Sequence, residues 1–316
     1  MTSQDLTLWS SIPWTPVHAP SSPTQTIGYH KPLIPYLPAA HPLQTLDVWI
    51  PPPPSSSPPP PSHIPTALPS LAFIHGGAWR DPSQTATVCF APAAAHLLAS
   101  TTTVPKRCYV SLSYRLSPSA SRPDNTARHP DHIADVLAAL GFLRRLGVTP
   151  DILVGHSCGA TLAVQAVVEA EGRWGVAGER VTGVRTVVGV NGLWDLEGFI
   201  CGGQGGAEWD GLRGGYEEFV RGAFGGGREV WRGVSPGSWG PGWGAEWEGG
   251  EGRRVWLVRS RGDELVPGEQ GEVMREAVER EGVRVGGWEV EGGHDEVWER
   301  GEVLGGVVER VLRGET

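Results

Sequence analysis

Residues 152–164, ILVGHSCGATLAV, decide the fold that we expect for this chain. A short apolar run ends at the pentapeptide GHSCG (155–159) and continues directly into an apolar, Ala-rich segment, so the pattern predicts a strand, a tight turn and a helix. A G-x-S-x-G pentapeptide in that setting is typical of a nucleophile elbow. Its glycines are needed because the flanking backbone segments approach too closely for a Cβ. The sequence therefore predicts that Ser157 is a nucleophile.

The two neighbours of Ser157 also carry reactive groups. In an elbow only the central side chain projects into the site, so the side chains of His156 and Cys158 are expected to pack against sheet and helix. We therefore do not expect His156 to be the general base. Cys158 is expected to contribute its backbone N–H rather than its thiol.

Short β-branched or apolar runs bounded by Gly, Pro or Asp recur along the chain and predict strands. These runs are residues 45–50, 71–75, 108–114, 151–155, 185–191, 254–260 and 287–292. Segments with helical spacing of apolar residues lie between or after them. The clearest is 132–147, where Ile133 and Leu140 belong to one apolar stripe, and 271–282 and 301–314 predict two more helices.

Strands that alternate with helices predict a single α/β domain over residues 1–316. We expect a mainly parallel twisted sheet with helices on both faces, and a ligand at the carboxyl ends of the strands. The Pro-rich residues 51–65 predict an extended surface loop. Residues 198–252 are rich in Gly, which raises the cost of ordering, and in Trp, which needs packing partners. They predict a small irregular cap insertion over the site.

Charge and cysteine usage limit the class of protein. The formal net charge is -9, which disfavours a nucleic-acid partner because phosphate binding needs clustered Lys and Arg. The cysteines lack metal or disulfide spacing, and they are Cys89, Cys108, Cys158 and Cys201. We find neither a signal peptide pattern nor an apolar run of about eighteen residues for a membrane helix. A cytoplasmic protein is expected, and the oligomeric state stays open, with a homodimer among the options.

A second Gly-rich turn follows an earlier predicted strand, in LAFIHGGAWRDP (71–82). Acyl transfer creates an oxyanion, and backbone N–H groups at a strand end are suited to stabilise it. We expect the donors to be the N–H groups of Gly76, Gly77 and Cys158. The alternative is a tight turn that only needs positive φ at the two glycines. The location upstream of an elbow favours the oxyanion role.

A serine nucleophile needs a base, and the base needs a carboxylate to orient it. In the α/β-hydrolase order both follow the serine, the acid before the histidine. His294 is the one histidine downstream of Ser157. Asp263 follows a predicted strand and is our preferred acid. The rival carboxylates are Asp195, Glu264, Asp295 and Glu296.

Several other polar residues have two interpretations. Tyr114 and Arg115 follow a strand and either brace the loops or border the site. His129 and His132 have the spacing of a metal site, but their position at a helix start favours capping and surface roles over zinc. Asn191, just past a predicted strand, either binds an amino-acid head group or serves as a turn residue.

Six motifs together resemble one family. They are HGGAW (75–79), SLSYRLSP (111–118), RHPDHIADVLAAL (128–140), GHSCGATL (155–162), RGDELVP (261–267) and GGHDEVW (292–298). They resemble the kynurenine formamidases (arylformamidases) among the α/β-hydrolases, particularly the fungal type with its HGGXW signature. The match runs from about residue 46 to the C-terminal helix and is weakest in the Gly-rich segment. In lipase and esterase relatives the His-Gly-Gly motif is usually followed by a further Gly. In this chain the motif begins at His75 and is followed by Ala78 and Trp79, which favours the formamidase interpretation.

The resemblance implies a serine hydrolase that cleaves N-formyl-L-kynurenine to L-kynurenine and formate, a step of tryptophan degradation towards NAD. It implies the triad Ser157, Asp263 and His294, a formyl-enzyme intermediate, and neither metal nor organic cofactor. A formanilide has a small acyl group and an aromatic leaving group, so the site needs an aromatic wall. Trp79 and Trp194 are candidates for that wall, and core packing is the alternative for each.

Two other functions remain open at this stage. A broad carboxylesterase acting on small acyl esters would use the same catalytic residues. A catalytically inactive α/β-hydrolase fold that serves as a binding module is disfavoured, because binding alone does not require a complete set of serine, acid and histidine.

Overall fold

The computed structural model describes residues 2–20, 22–52, 66, 68–101, 105–178 and 180–315. Nine strands form one sheet in the order β1-β2-β3-β5-β4-β6-β7-β8-β9. The strands are β1 (Thr15–Ala19), β2 (Ser22–Pro35), β3 (Thr45–Ile50), β4 (Ser70–Ile74), β5 (Cys108–Leu112), β6 (Pro150–His156), β7 (Thr186–Val190), β8 (Arg254–Gly262) and β9 (Arg284–Gly293).

The pairing from β5 through β4, β6, β7 and β8 to β9 is parallel, whereas β1, β2 and β3 form an antiparallel extension at one edge. The predicted mainly parallel sheet is confirmed, and each of the predicted strands is present. The hairpin of β1 and β2 has no counterpart among the predictions. Strand β2 is largely half-exposed and carries polar residues and three prolines, so it shows neither an apolar run nor regular alternation.

Helices cover the sheet on both faces. They are α1 (Ser3–Ser10), α2 (Ala86–Ala99), α3 (Asp131–Arg145), α4 (Cys158–Gln165), α5 (Ala170–Trp174), α6 (Leu196–Cys201), α7 (Asp210–Phe224), α8 (Arg228–Val234), α9 (Trp243–Glu246), α10 (Glu269–Arg280), α11 (Glu296–Glu299) and α12 (Gly301–Arg313). The helices predicted over 132–147, 271–282 and 301–314 are α3, α10 and α12, with small shifts at their ends.

The two faces of the sheet contribute to two separate apolar clusters. In β4, Leu71 and Phe73 point to a cluster shared with α2 and α12, while Ala72 and Ile74 point to a cluster shared with α3 and α4. Both alternations of the strand are therefore buried. This is the packing that parallel strands covered on both sides require.

The segment 198–252 differs from the irregular cap that its composition predicts. It contains α7, α8, α9 and the end of α6. The buried residues of α7 include Tyr216, Phe219 and Phe224, which recur at three- to five-residue steps along the helix. A helical glycine costs about 0.5–1 kcal/mol, but burying a large apolar side chain contributes about 1.5–3 kcal/mol. Burial of this stripe therefore outweighs the glycines and orders the cap as helix.

Two further expectations concern the chain outside this core. The predicted Pro-rich loop at 51–65 lies outside the described residues from position 53 onward. None of the helices that the structure describes combines the length and hydropathy needed to cross a lipid bilayer.

Two glycines of α12 test how closely α2 and α12 pack. A Cβ at Gly301 would lie 2.3 Å from the carbonyl carbon and oxygen of Pro92 in α2, whereas one at Gly306 would meet nothing within 4 Å. We expect Gly301→Ala to lower the free energy of unfolding by about 1–3 kcal/mol, because the helices must separate. Gly306→Ala should raise it by about 0.5–1 kcal/mol through helix propensity. Urea unfolding of both variants measures the difference, and equal stabilities would contradict this packing.

Candidate active site

Ser157 lies on the turn between β6 and α4, with φ 53° and ψ -124°. A positive φ at a non-glycine residue is strained by about 1–3 kcal/mol. The flanking glycines explain why the turn is so tight. A Cβ at Gly155 would lie 2.3 Å from the carbonyl oxygen of Gly159, and a Cβ at Gly159 would lie 2.2 Å from the carbonyl oxygen of Ile74. The local geometry is therefore that of the predicted elbow.

His294 and Asp263 meet at the carboxyl ends of the two strands that precede them, β9 and β8. The Nδ1 atom of His294 lies 2.9 Å from Oδ1 of Asp263, and both side chains are buried. The same carboxylate oxygen accepts hydrogen bonds from the backbone N–H groups of Leu265 and Val266, each at 2.9 Å. The Asp263 carboxylate accepts a hydrogen bond from the Nδ1–H group of His294. The Nε2 atom of the ring is therefore the nitrogen available for proton transfer.

Ser157 and His294 both line a cavity of about 340 Å³. The cap helix α7 forms one wall with Tyr216 and Phe219, and the loop after β4 forms another. The Ser157 hydroxyl makes no hydrogen bond to a described residue, and catalytic hydrogen bonds often form only when substrate is bound. The volume lies in the range of small-molecule sites.

The loop after β4 turns sharply through three consecutive residues at positive φ. Gly77, Ala78 and Trp79 have positive φ of 90°, 50° and 57°. The backbone N–H groups of Gly76, Gly77 and Cys158 make no loop or turn hydrogen bond to another described residue, and Cys158 begins α4. The positive end of that helix dipole therefore faces the same region as Ser157.

Tyr114 and His75 support this loop from behind. The Tyr114 hydroxyl lies 3.1 Å from the carbonyl oxygen of His75 and 3.0 Å from that of Gly76, and its ring stacks on the His75 ring at 4.5 Å. Burial lowers the pKa of His75 to about 4, so the ring is neutral at pH 7. The Arg115 guanidinium bonds to Asp135, and Arg115 does not belong to the described lining of the cavity. The bracing interpretation of Tyr114 and Arg115 fits these contacts.

The aromatic wall differs from the one expected from the sequence. Trp79 is buried against Phe224, and Trp194 packs on β7, so neither belongs to the described lining of the cavity. Their large rings fill the core at the end of the sheet. Tyr216 and Phe219 form the wall instead. Their three-residue spacing was the one sequence pattern that indicated a helix with an aromatic face in this Gly-rich segment.

Asn191 also lies away from the cavity that contains Ser157. Its side-chain amide donates to Ser260 Oγ at 2.9 Å and to the carbonyl oxygen of His294 at 3.1 Å, and its Oδ1 accepts from the Ser260 N–H at 2.7 Å. Asn191 and Trp194 instead border a second cavity of about 280 Å³. Because the amide already bonds to other residues of the protein, and Asn191 has a positive φ of 49°, these contacts fit the turn interpretation and not the binding of a substrate head group.

Asp263 is the carboxylate that contacts the His294 ring among the described residues. The rival carboxylates accept hydrogen bonds from other groups, and they are Asp195, Glu264, Asp295 and Glu296. Glu264 comes closest, because its Oε2 accepts from the backbone N–H of His294 at 3.1 Å. It therefore holds the main chain and not the ring.

Cys158 does not present a reactive thiol. Its side chain is buried, and burial raises the pKa of the thiol to about 11. The thiolate is the nucleophilic form of cysteine. At neutral pH the thiol is therefore protonated, which leaves Ser157 as the candidate nucleophile of the pentapeptide.

The predicted absence of a metal stays a prediction. His132 bonds to a serine hydroxyl, and His129 packs edge-on against an indole, so their spacing does not produce a shared site. Within the described residues one group offers three metal ligands within 4.8 Å of one another, and its members are His156, His294 and Asp295. Both rings of that group already use one nitrogen in a hydrogen bond.

A mainly parallel sheet, a serine on the turn after a central strand and a histidine–carboxylate pair at neighbouring strand ends define an α/β-hydrolase. Solved structures share this fold. Esterase B from Lactobacillus Rhamnosis has a TM-score of 0.63 at 16% identity, covering 99% of this chain and 90% of that chain. Carboxyl esterase 2 from the mycorrhizal fungus Tuber melanosporum has a TM-score of 0.58 at 17% identity, covering 96% and 84%.

Sequence relatives give the family. The kynurenine formamidase-like hydrolase fscH of Fusarium equiseti is 33% identical over 308 residues, 90% of this chain and 94% of that protein. The kynurenine formamidase avaC of Aspergillus versicolor is 32% identical over 251 residues, 73% and 84%. No family profile matches the chain. The chain belongs to the kynurenine formamidase family, and it is a hydrolase of the formamidase and esterase type.

Proposed function

We propose that the chain is a serine hydrolase with the triad Ser157, Asp263 and His294. The observation that carries the proposal is that the elbow serine and the carboxylate-bound imidazole line one cavity. The N–H groups of Gly76 and Gly77, together with that of Cys158, are proposed to bind the oxyanion. The reaction below uses only groups of this chain and water, so the proposal includes neither metal nor organic cofactor.

The proposed reaction transfers a formyl group in two steps. Ser157 Oγ attacks the formyl carbonyl carbon while His294 Nε2 takes the hydroxyl proton, and Asp263 stabilises the imidazolium. The tetrahedral oxyanion collapses, the C–N bond breaks, and His294 returns the proton to the leaving amine. A water molecule then attacks the formyl ester with His294 again as base. Formate leaves and the serine is restored.

We propose N-formyl-L-kynurenine as the substrate and L-kynurenine and formate as products, a step of tryptophan degradation towards NAD in the cytoplasm. The names of the two relatives support this choice. The cavity supports it too, because Tyr216 and Phe219 provide an aromatic wall. Arg80 supplies a positive charge, and Asp81 and Asp295 supply negative charges. A zwitterionic amino-acid head group needs both signs.

Ser157→Ala is expected to lower kcat on N-formyl-L-kynurenine by at least about a thousandfold, the scale for losing one member of such a unit. The matched control is Cys158→Ala, which should keep kcat within about threefold because the proposed role of Cys158 is carried by its backbone. Release of kynurenine is followed by absorbance. A fluorophosphonate probe should label the wild type and Cys158→Ala but not Ser157→Ala. Near-normal turnover by Ser157→Ala would refute the mechanism.

Comparison of two substrates tests the proposed specificity, because the same catalytic groups also cleave esters. We expect a larger kcat/KM for N-formyl-L-kynurenine than for p-nitrophenyl acetate, since only the first fills the aromatic and charged parts of the cavity. Steady-state kinetics on one enzyme preparation gives the ratio. A much larger kcat/KM for the ester would favour a small-acyl carboxylesterase.

Arg80 tests how the head group is bound. Its guanidinium lies over the Phe219 ring at 5.7 Å and pairs with Glu218 at 3.0 Å. We expect Arg80→Gln to raise KM for N-formyl-L-kynurenine about ten- to a hundredfold, as for a lost hydrogen bond between charged groups. KM for formanilide, which lacks the head group, should be unchanged. Exposed Arg122, outside the cavity lining, gives the control Arg122→Gln. An equal KM increase for both substrates would contradict carboxylate binding by Arg80.

A further inference from the structure

The backbone carbonyl oxygen of His294 receives two side-chain hydrogen bonds from different strands. His156 Nε2, at the end of β6, lies 2.9 Å from this oxygen, and Asn191 Nδ2, just after β7, lies 3.1 Å from it. Both donors are buried, with relative exposures of 1% and 3%. Removing a donor therefore leaves a buried carbonyl with one partner fewer, where water does not readily replace it.

The other polar atoms of His294 are also held. Its N–H donates to Glu264 at 3.1 Å, and its Nδ1 bonds to Asp263 at 2.9 Å. Asn191 is itself fixed by two hydrogen bonds to Ser260 of β8, at 2.9 and 2.7 Å. The ends of β6, β7, β8 and β9 are thus joined around one histidine. His294 lines the cavity, and its ring nitrogen Nε2 is the polar atom that makes no hydrogen bond to a described residue.

We propose that His156 and Asn191 are positioning residues that hold the His294 backbone, and so its imidazole, in register with Ser157. We call these two residues the His294 clamp. The inference rests on the proposed role of His294 as general base. An imidazole displaced by a fraction of an ångström loses the alignment that proton transfer needs, whereas substrate binding by the cap is unaffected.

The chemical state of His156 suits this role. A carbonyl oxygen only accepts, so Nε2 of His156 carries the hydrogen. Burial and the neighbouring His294 imidazole lower the pKa of His156 to about 4. The ring is therefore neutral at pH 7. A neutral donor holds the carbonyl without placing a second positive charge beside the imidazolium that forms during the reaction.

Paired substitutions at His156 separate positioning from folding. We expect His156→Leu to lower kcat at least about tenfold with KM within about twofold, because substrate contacts remain. His156→Gln should recover most of kcat, since its side-chain amide supplies an N–H donor at a similar reach. The control is His30→Leu, which removes another partly buried histidine, bonded to Asp47 at 2.8 Å on β2 and β3. It should leave kcat unchanged. Melting temperatures are measured for all three variants.

Asn191→Asp tests the other half of the His294 clamp. Aspartate keeps an acceptor for the Ser260 N–H but replaces the donor to His294 with a carboxylate oxygen, so the same loss of kcat at constant KM is expected. Wild-type kcat in both His156→Leu and Asn191→Asp would overturn the clamp. So would a His156→Gln enzyme no faster than His156→Leu, or a KM increase that accounts for the loss.

These outcomes are distinguishable from a failure of the proposed function. Wild-type protein without turnover of either substrate, or an active Ser157→Ala variant, contradicts the function and not the clamp. The rate of fluorophosphonate labelling of Ser157 reports on the clamp without a substrate, because that reaction also needs His294 as base. Slower labelling of His156→Leu, restored in His156→Gln, supports the clamp, and equal rates in all three proteins overturn it.

Discussion

Close contact between the backbones of β6 and α4 is the constraint on which the site depends. No side chain fits at Gly155 or Gly159, where a Cβ would lie 2.3 and 2.2 Å from carbonyl oxygens. The chain can reverse this sharply only with Ser157 at positive φ, at a cost of about 1–3 kcal/mol. All eight residues of α4 are buried. Burial of its apolar side chains, about 1.5–3 kcal/mol for each large one, offsets that strain.

The parallel sheet then brings distant residues to the same edge. Ser157 follows β6, Asp263 follows β8 and His294 follows β9, so all three lie at carboxyl ends of strands. His156 and His294 are 138 positions apart in sequence, yet a ring nitrogen of one bonds to the carbonyl of the other. The conformational entropy lost in closing such long loops is offset by the hydrogen bonds between strands and by burial of the two apolar clusters. The site itself needs only a few hydrogen bonds to fix its geometry.

The sequence predicted those features whose physics demands particular residues. Glycines at close contacts identified the elbow and the loop after β4, and strand–helix alternation identified the sheet. The cap helices were not predicted, because glycine in 198–252 obscures the stripe that includes Tyr216 and Phe219. Trp79 was a poor guide to the aromatic wall, since a large ring suits a core as well as a cavity. The contacts of Asn191 join separate strands and leave no local pattern. The catalytic roles themselves stay proposals.

Substrate choice must come from parts that differ within this fold. The solved esterases share the sheet at 16–17% identity, so the sheet does not distinguish an amide from an ester. The two substrates differ in the leaving group. An activated ester expels a stable anion, whereas a formanilide nitrogen must be protonated as its bond breaks. In the proposed mechanism, amide cleavage therefore depends on His294 both as base and as acid, in one fixed position. The hydrogen bonds at the N–H, carbonyl and Nδ1 of His294 meet that stricter demand.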